Sequence, residues 1–215
     1  MNILGVTNFH ILIPHNTFSM KLIFATNNRH KVEELQNAIG NEIEIIPLHD
    51  AGIDIDIPEP HDTLEANASE KSGTIFKMTA MDCFSEDTGL EVEALHGEPG
   101  AKSARYAGEG KSFEKNIDKL LEKLNNHPNR KARFRTVISL LIDGKEYYFE
   151  GICNGKIEKA RMGTNGFGYD PVFTPEGSHK TFAEMTLEEK GQFSHRKRAA
   201  DKLVAFLKDK AKNIH

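Results

Sequence analysis

Two adjacent carboxylates stand inside the run Cys83-Phe84-Ser85-Glu86-Asp87-Thr88-Gly89-Leu90-Glu91-Val92. Apolar residues lead into them, a hydroxyl and a glycine follow, and Leu90 and Val92 then alternate as in a strand. The run reads as a strand end beside a glycine turn. Such a place suits a hard divalent cation, because Mg²⁺ takes oxygen ligands and needs only one or two from protein. A solvated acidic turn has the same composition, so the stretch alone leaves both readings open. Two more carboxylates lie upstream. Glu59 stands between Pro58 and Pro60 in an extended segment, and Glu65 follows Asp62 and Thr63 as a capping-box partner.

Three other constellations carry chemistry. Thr26-Asn27-Asn28-Arg29-His30-Lys31 runs from a strand into a helix start, where free backbone N–H groups and the positive dipole end suit a phosphate. Thr26 and Asn28 can add hydrogen bonds and Lys31 charge; an ordinary Asn cap among basic residues is the competing reading. In Thr164-Asn165-Gly166-Phe167-Gly168-Tyr169-Asp170-Pro171 the glycines let backbone approach a flat ligand while Phe167 stacks on it. Asp170, before a proline, is expected to be extended and to accept hydrogen bonds; a turn with an aromatic plug fits this stretch equally well. Finally, Lys190 and Ser194-His195-Arg196 lie across Gly191, where a helix break would bring them to one cleft. Lys and Arg only donate, so they favour keto oxygens and phosphates.

The elements that must position these residues follow from periodicity. A strand is expected over 21–26, then a helix with Val32, Leu35 and Ile39 on one face and Gly40 as its stop. Ile43 to Leu48 reads as a strand, and Leu64 to about Thr79 as a helix capped by Asp62 or Thr63. Gly97 to Gly110 is a long loop. Ser112 caps a helix whose stripe is Phe113, Ile117, Leu120, Leu121 and Leu124. Runs 133–142 and 147–153 form a hairpin turned by Asp143-Gly144, and Ile157 to Ala160 adds a strand. Thr186 to Glu189 opens a C-terminal helical region with Ala200, Leu203, Val204 and Leu207 toward a core. Helices alternating with strands early and a hairpin later give an α/β fold with a mixed sheet.

Composition sets the limits. The 215 residues fit one domain, or one domain with two lobes. A net charge of −4 argues against a partner nucleic acid, which calls for a strongly basic face. Cys83 and Cys153 lack metal-ligand spacing and read as free thiols of a reducing cytoplasm. No apolar run approaches the roughly 20 residues that span a bilayer, so no membrane partner is expected. Residues 1–19 have no Lys or Arg to start a secretory signal. They read as a disordered extension before a start at Met20, with a single domain over 20–215.

These motifs, taken together and in order, resemble the inosine/xanthosine triphosphate pyrophosphatase family of nucleotide house-cleaning enzymes. The match rests on Thr26-Asn27-Asn28-x-x-Lys31, Thr63-Leu64-Glu65-x-Asn67-Ala68, Glu86-Asp87-Thr88-Gly89-Leu90, Pro99-Gly100-x-x-Ser103-Ala104-Arg105-Tyr106, Gly166-Phe167-Gly168-Tyr169-Asp170-Pro171, and Glu189-Lys190 with Ser194-His195-Arg196. The resemblance implies hydrolysis of dITP, ITP and XTP to a monophosphate and pyrophosphate, with Mg²⁺, by a cytoplasmic homodimer. It implies an elongated mixed sheet flanked by helices, in two lobes around a central cleft. Asp87 would activate water and meet the metal, and Glu59 would be the second metal ligand. Thr26, Asn27, Asn28, Arg29, His30, Lys31 and Thr88 would hold phosphates. Phe167, Gly168, Tyr169, Asp170, Lys190, His195 and Arg196 would hold base and sugar. The sequence also fits two other readings: a pyrophosphatase of the same fold for modified pyrimidine triphosphates, and a nucleotide-binding regulator without catalysis.

Overall fold

The computed structural model describes residues 20–40 and 43–212; the expected extension, residues 1–19, lies outside the described residues. Strand β1 (Met20–Phe24), helix α1 (Arg29–Ile39) and strand β2 (Ile43–Pro47) form a parallel β-α-β unit, with Ile23 opposite Ile46. Asn28 caps α1 by accepting from the Lys31 amide, and the Gly40 amide closes its end on the Gln36 carbonyl. Helix α2 (Leu64–Thr79) then returns the chain to strand β3 (Cys83–Val92), which runs parallel to β1.

β3 organises the rest. One edge pairs along its whole length, antiparallel, with β5 (Lys131–Ile142), from Cys83 opposite Leu141 to Val92 opposite Ala132. The other edge pairs with β1 only at Cys83 and Phe84, and with the short β4 (Pro99–Gly100) only at Leu90 and Glu91. Between those pairings, residues 85–89 face a notch. β5 turns at Asp143-Gly144, both at positive φ, into β6 (Lys145–Ile157), which pairs with β7 (Phe173–Pro175). The sheet order is β2-β1-β3-β5-β6-β7 with β4 beside β3, a mixed sheet. Helix α3 (Phe113–Lys123), the short α4 (Leu187–Phe193) and α5 (His195–Lys212) complete the strands and α-helices of the described residues, with short 3₁₀ turns between them.

Two lobes follow from where apolar side chains cluster. Leu22, Phe24, Leu35, Phe84, Leu140, Leu203 and Leu207 pack at the β1–β2 end. Leu90, Val92, Leu120, Phe134, Phe173 and Phe182 pack at the other. The waist between them on β3 is Ser85-Glu86-Asp87-Thr88, whose polar side chains cannot join either core.

Several expectations need correction. Glu86 and Asp87 lie mid-strand in β3, not at a strand end beside a turn. Thr63 caps α2, which places Glu65 one residue short of the capping-box position; its carboxylate pairs with Arg135 instead, 2.6 Å away. Ile157 ends the long β6 and starts no strand of its own. Phe113 stays exposed rather than joining the α3 stripe, its ring 6.2 Å from that of Phe167. The helix break falls at Ser194, whose Oγ accepts from the Lys197 amide, and not at Gly191.

α5 docks on β6 through a close approach at Gly151. A Cβ there would stand 2.0 Å from the His195 carbonyl oxygen, a backbone atom that cannot swing aside. Gly151→Ala is therefore expected to lower stability by about 1–3 kcal/mol. It should cost activity as well, since it pushes at the segment that carries His195 and Arg196. A thermal melt and a turnover assay on the same preparation check both.

Candidate active site

Successive strand residues point to opposite faces, so the acidic pair on β3 serves two separate environments. Asp87 faces α2. Glu86 faces α1 and α5. Each carboxylate lies almost fully buried, at 4% and 2% exposure, and must be compensated there.

On the α2 side, Asp87 Oδ2 accepts from Asn67 Nδ2 at 3.2 Å, and Asp87 Oδ1 lies 3.4 Å from Lys71 Nζ. Asn67 is fixed by both backbone groups of His61, donating to its carbonyl and accepting from its amide. Lys71 also donates to Glu59 Oε1 at 2.5 Å. The proline-flanked segment therefore does fold over β3, and one ammonium spans the two carboxylates named as metal ligands. Arg105 secures that segment by donating to the Glu59 carbonyl. Burial pushes the Asp87 carboxyl above its ordinary range, and Lys71 opposes this only in part. For Glu59 burial also pushes upward, but Lys71, Lys31 and Arg105 outweigh it and hold the carboxyl low. Lys71 loses to burial and gains more from Asp87 and Glu59, so its ammonium stays charged.

On the opposite face Glu86 receives Arg196 bidentately, Nε to Oε2 at 2.7 Å and Nη2 to Oε1 at 2.9 Å, with Lys31 Nζ 3.2 Å from Oε1. Arg196 Nη1 donates to Glu34, whose other oxygen receives Lys190 Nζ at 2.6 Å. Lys190 also donates to Asp170 Oδ2 at 2.6 Å. One chain of alternating charges thus runs from Lys31 to Asp170 and ties α1 to β3, α4 and α5. Despite complete burial, the cations around Glu86 hold its carboxyl down at about 2. Thr88 Oγ1 lies 2.6 Å from Thr136 Oγ1 and 3.4 Å from Arg196 Nη2.

The remaining named residues fall in three places. At the start of α1, Thr26 Oγ1 accepts from the Asn28 amide, and Asn27 Nδ2 donates to the Ile55 carbonyl. Arg29 is exposed in the first turn, and the His30 ring lies against Phe167. In the 166–170 turn Asp170 opens a 3₁₀ turn instead of standing extended, and its carboxylate accepts from the Phe167 amide. Gly166, at φ +74°, makes room for that carboxylate and not for a ligand: a Cβ would lie 2.0 Å from Asp170 Oδ2. Gly168 is also left-handed, at φ +62°, and Tyr169 is buried with its hydroxyl on the Ser103 carbonyl. His195 is buried, its ring stacked 4.8 Å from Phe134, and burial drives its pKa well below normal, leaving the imidazole neutral.

Sequence reasoning missed Lys71 and Glu34. Both sit inside helices, where a charged residue ordinarily reads as solvated. The signal was present in α2, because Leu64, Ala68, Lys71 and Ile75 share one buried face.

A divalent ion fits the donor set at Asp87 and Glu59. Both carboxylates are oxygen donors already drawn to one cation, the Lys71 ammonium, and Mg²⁺ needs no more than two of them.

Known proteins resemble this chain closely. The Ham1 family matches residues 22–206. A dITP/XTP pyrophosphatase of Flavobacterium johnsoniae is 50% identical over 188 residues, 87% of this chain and 98% of that protein. One from Porphyromonas gingivalis is 50% identical over 188 residues, covering 87% and 97%. Among solved structures, the Ham1 protein of Staphylococcus aureus superposes with a TM-score of 0.80 at 42% identity, covering 88% of this chain and 99% of that one.

Proposed function

The chain belongs to the Ham1 family, and from that premise we propose that its cleft hydrolyses non-standard purine nucleoside triphosphates, dITP, ITP and XTP, to the monophosphate and pyrophosphate. The observation that carries the chemistry is Asp87. It is a buried carboxylate with a raised pKa, at the polar waist where no core claims it. A raised pKa makes the carboxylate a better proton acceptor near neutral pH. Pure binding requires no such group, which counts against a regulator without catalysis.

In the proposed reaction a water oxygen attacks the α-phosphorus and its proton passes to Asp87. The bond from that phosphorus to the bridging oxygen breaks, and pyrophosphate leaves with the electron pair. Asn67 and Lys71 orient Asp87. Lys31 and the free amides of the α1 N-terminus meet the phosphates, with Thr26, Asn28 and Thr88 adding hydrogen bonds. Mg²⁺ held by Asp87 and Glu59 would neutralise phosphate charge.

Phe167 stacks on the base, and Lys190 and Arg196 read its 6-keto oxygen. Lys190 gives two of its three donors to Glu34 and Asp170, which leaves one. Arg196 uses four of its five, two of them on Glu86 and one each on Thr88 and Glu34, so it too keeps one. A keto oxygen completes these donors, whereas an adenine amino group leaves them unpaired. Gly168, Tyr169 and His195 shape the pocket behind the ring.

We place the enzyme in the cytoplasm as a homodimer, following the resemblance. Two observations agree with that location: both cysteines are buried free thiols, with Cys83 pushed up to about 12 and Cys153 to about 11 by burial, and no described helix is long and apolar enough to cross a membrane.

Pyrophosphate release from ITP, XTP, dITP, GTP, ATP and dUTP, with Mg²⁺ and again with EDTA, tests the reading. Fast release from the first three, abolished by EDTA, is expected. Release mainly from dUTP would keep Asp87 and discard the roles of Lys190 and Arg196. No release from any of them would overturn the reaction.

A further inference from the structure

α1 turns three residues toward the cleft, and each has a different task. Lys31 reaches Glu86, and Glu34 reaches Lys190 and Arg196. His30, one turn before Glu34, lays its imidazole flat against the Phe167 ring, with centroids 5.2 Å apart and planes 14° from parallel. The family resemblance would group His30 with the phosphate residues. Its geometry does not fit that task, because the ring offers its π face to the aromatic that is meant to carry the base.

We propose that His30 is the second face of an aromatic clamp, with the purine entering between His30 and Phe167. This rests on the reading of the cleft as a purine triphosphate site. Phe167 has cations at two points near its ring, Lys190 Nζ at 5.3 Å and Arg196 Cζ at 5.8 Å from its centroid. A base stacked on Phe167 therefore lies beside the two donors that read its 6-keto oxygen. A base held between two rings needs about 7 Å, twice the contact distance of carbon atoms. The present spacing is shorter, so entry parts the rings and exchanges one stacking contact for two. The clamp also joins the lobes, since His30 belongs to the β1–β2 end and Phe167 to the turn before β7. More than half of the His30 side chain is exposed, so its replacement leaves the fold intact.

The experiment compares wild type, His30→Ala and His30→Phe, using KM and kcat for ITP and the inhibition constant of inorganic tripolyphosphate, which has phosphates but no base. Loss of one stacking face is expected to raise KM for ITP about tenfold in His30→Ala, with kcat little changed. Tripolyphosphate inhibition should stay the same, and His30→Phe should restore KM. If His30→Ala weakens tripolyphosphate as much as ITP and His30→Phe fails to rescue, His30 is a phosphate contact and the clamp is wrong. An unchanged KM in His30→Ala would also overturn it. Failure of the purine triphosphate reading shows separately, as wild-type enzyme that releases no pyrophosphate from ITP.

Discussion

Asp87→Asn is expected to lower kcat for dITP by about two to four orders of magnitude, the range that a positioned general base supplies. The change is isosteric and removes the negative charge, and with it the ability to take a proton and the stronger of the two proposed holds on a divalent ion at this position. KM should move little, because phosphates and base are held by other groups. Stability gives the control. A carboxyl whose pKa is raised on folding opposes the folded state increasingly as pH rises above its unfolded pKa, and fully above the raised one, because the unfolded chain loses the proton first. Removing the charge relieves this cost at neutral pH, while Lys71 keeps its closer partner Glu59. The variant should therefore melt no lower than wild type while turning over far more slowly. Turnover close to wild type would mean that another group takes the proton. A large drop in melting temperature would mean that Asp87 is a structural partner of Lys71.

Much of this arrangement could be read from local chemistry. Asn28 and Thr63 cap their helices because short polar side chains reach back to free amides, and Asp143-Gly144 turns the hairpin because both residues accept positive φ. What local chemistry could not supply was partnership across the sheet. Glu86 and Asp87 are neighbours in sequence and strangers in space. One belongs to a charge chain running through α1 and α5, and the other to a pair bridged from α2. Glu34 contacts Lys190 and Arg196 across 156 and 162 residues of sequence, and no periodicity predicts such a meeting. Gly166 shows the converse error. A glycine beside an aromatic suggests an approaching ligand, yet here it admits the carboxylate of Asp170.

The charge chain makes the second large prediction. Arg196→Met keeps an unbranched, space-filling side chain but takes the shared cation from between Glu86 and Glu34, leaving Glu86 with Lys31 alone and Glu34 with Lys190 alone. Breaking a buried pair by removing one partner costs about 3–5 kcal/mol, far more than intact pairs contribute, because the orphaned charge keeps its desolvation penalty. The cost should depend on pH in a definite direction. In wild type Glu86 titrates at about 2 against an ordinary 4.5, so it stabilises the fold above about pH 4.5, and that contribution is lost as pH falls toward 2. In Arg196→Met the main source of that depression is gone, and Glu86 can become neutral by binding a proton. The gap in stability between the two proteins should be widest near pH 7 and close progressively below about pH 4.5. Urea unfolding at pH 7, 5 and 3.5 in EDTA, which keeps metal from masking the carboxylates, measures it. A gap of equal size at pH 7 and 3.5 would assign the loss to packing around the Arg196 side chain instead of to the stranded charges. In that case Glu86→Gln in the Arg196→Met background would recover nothing, whereas stranded charge predicts substantial recovery.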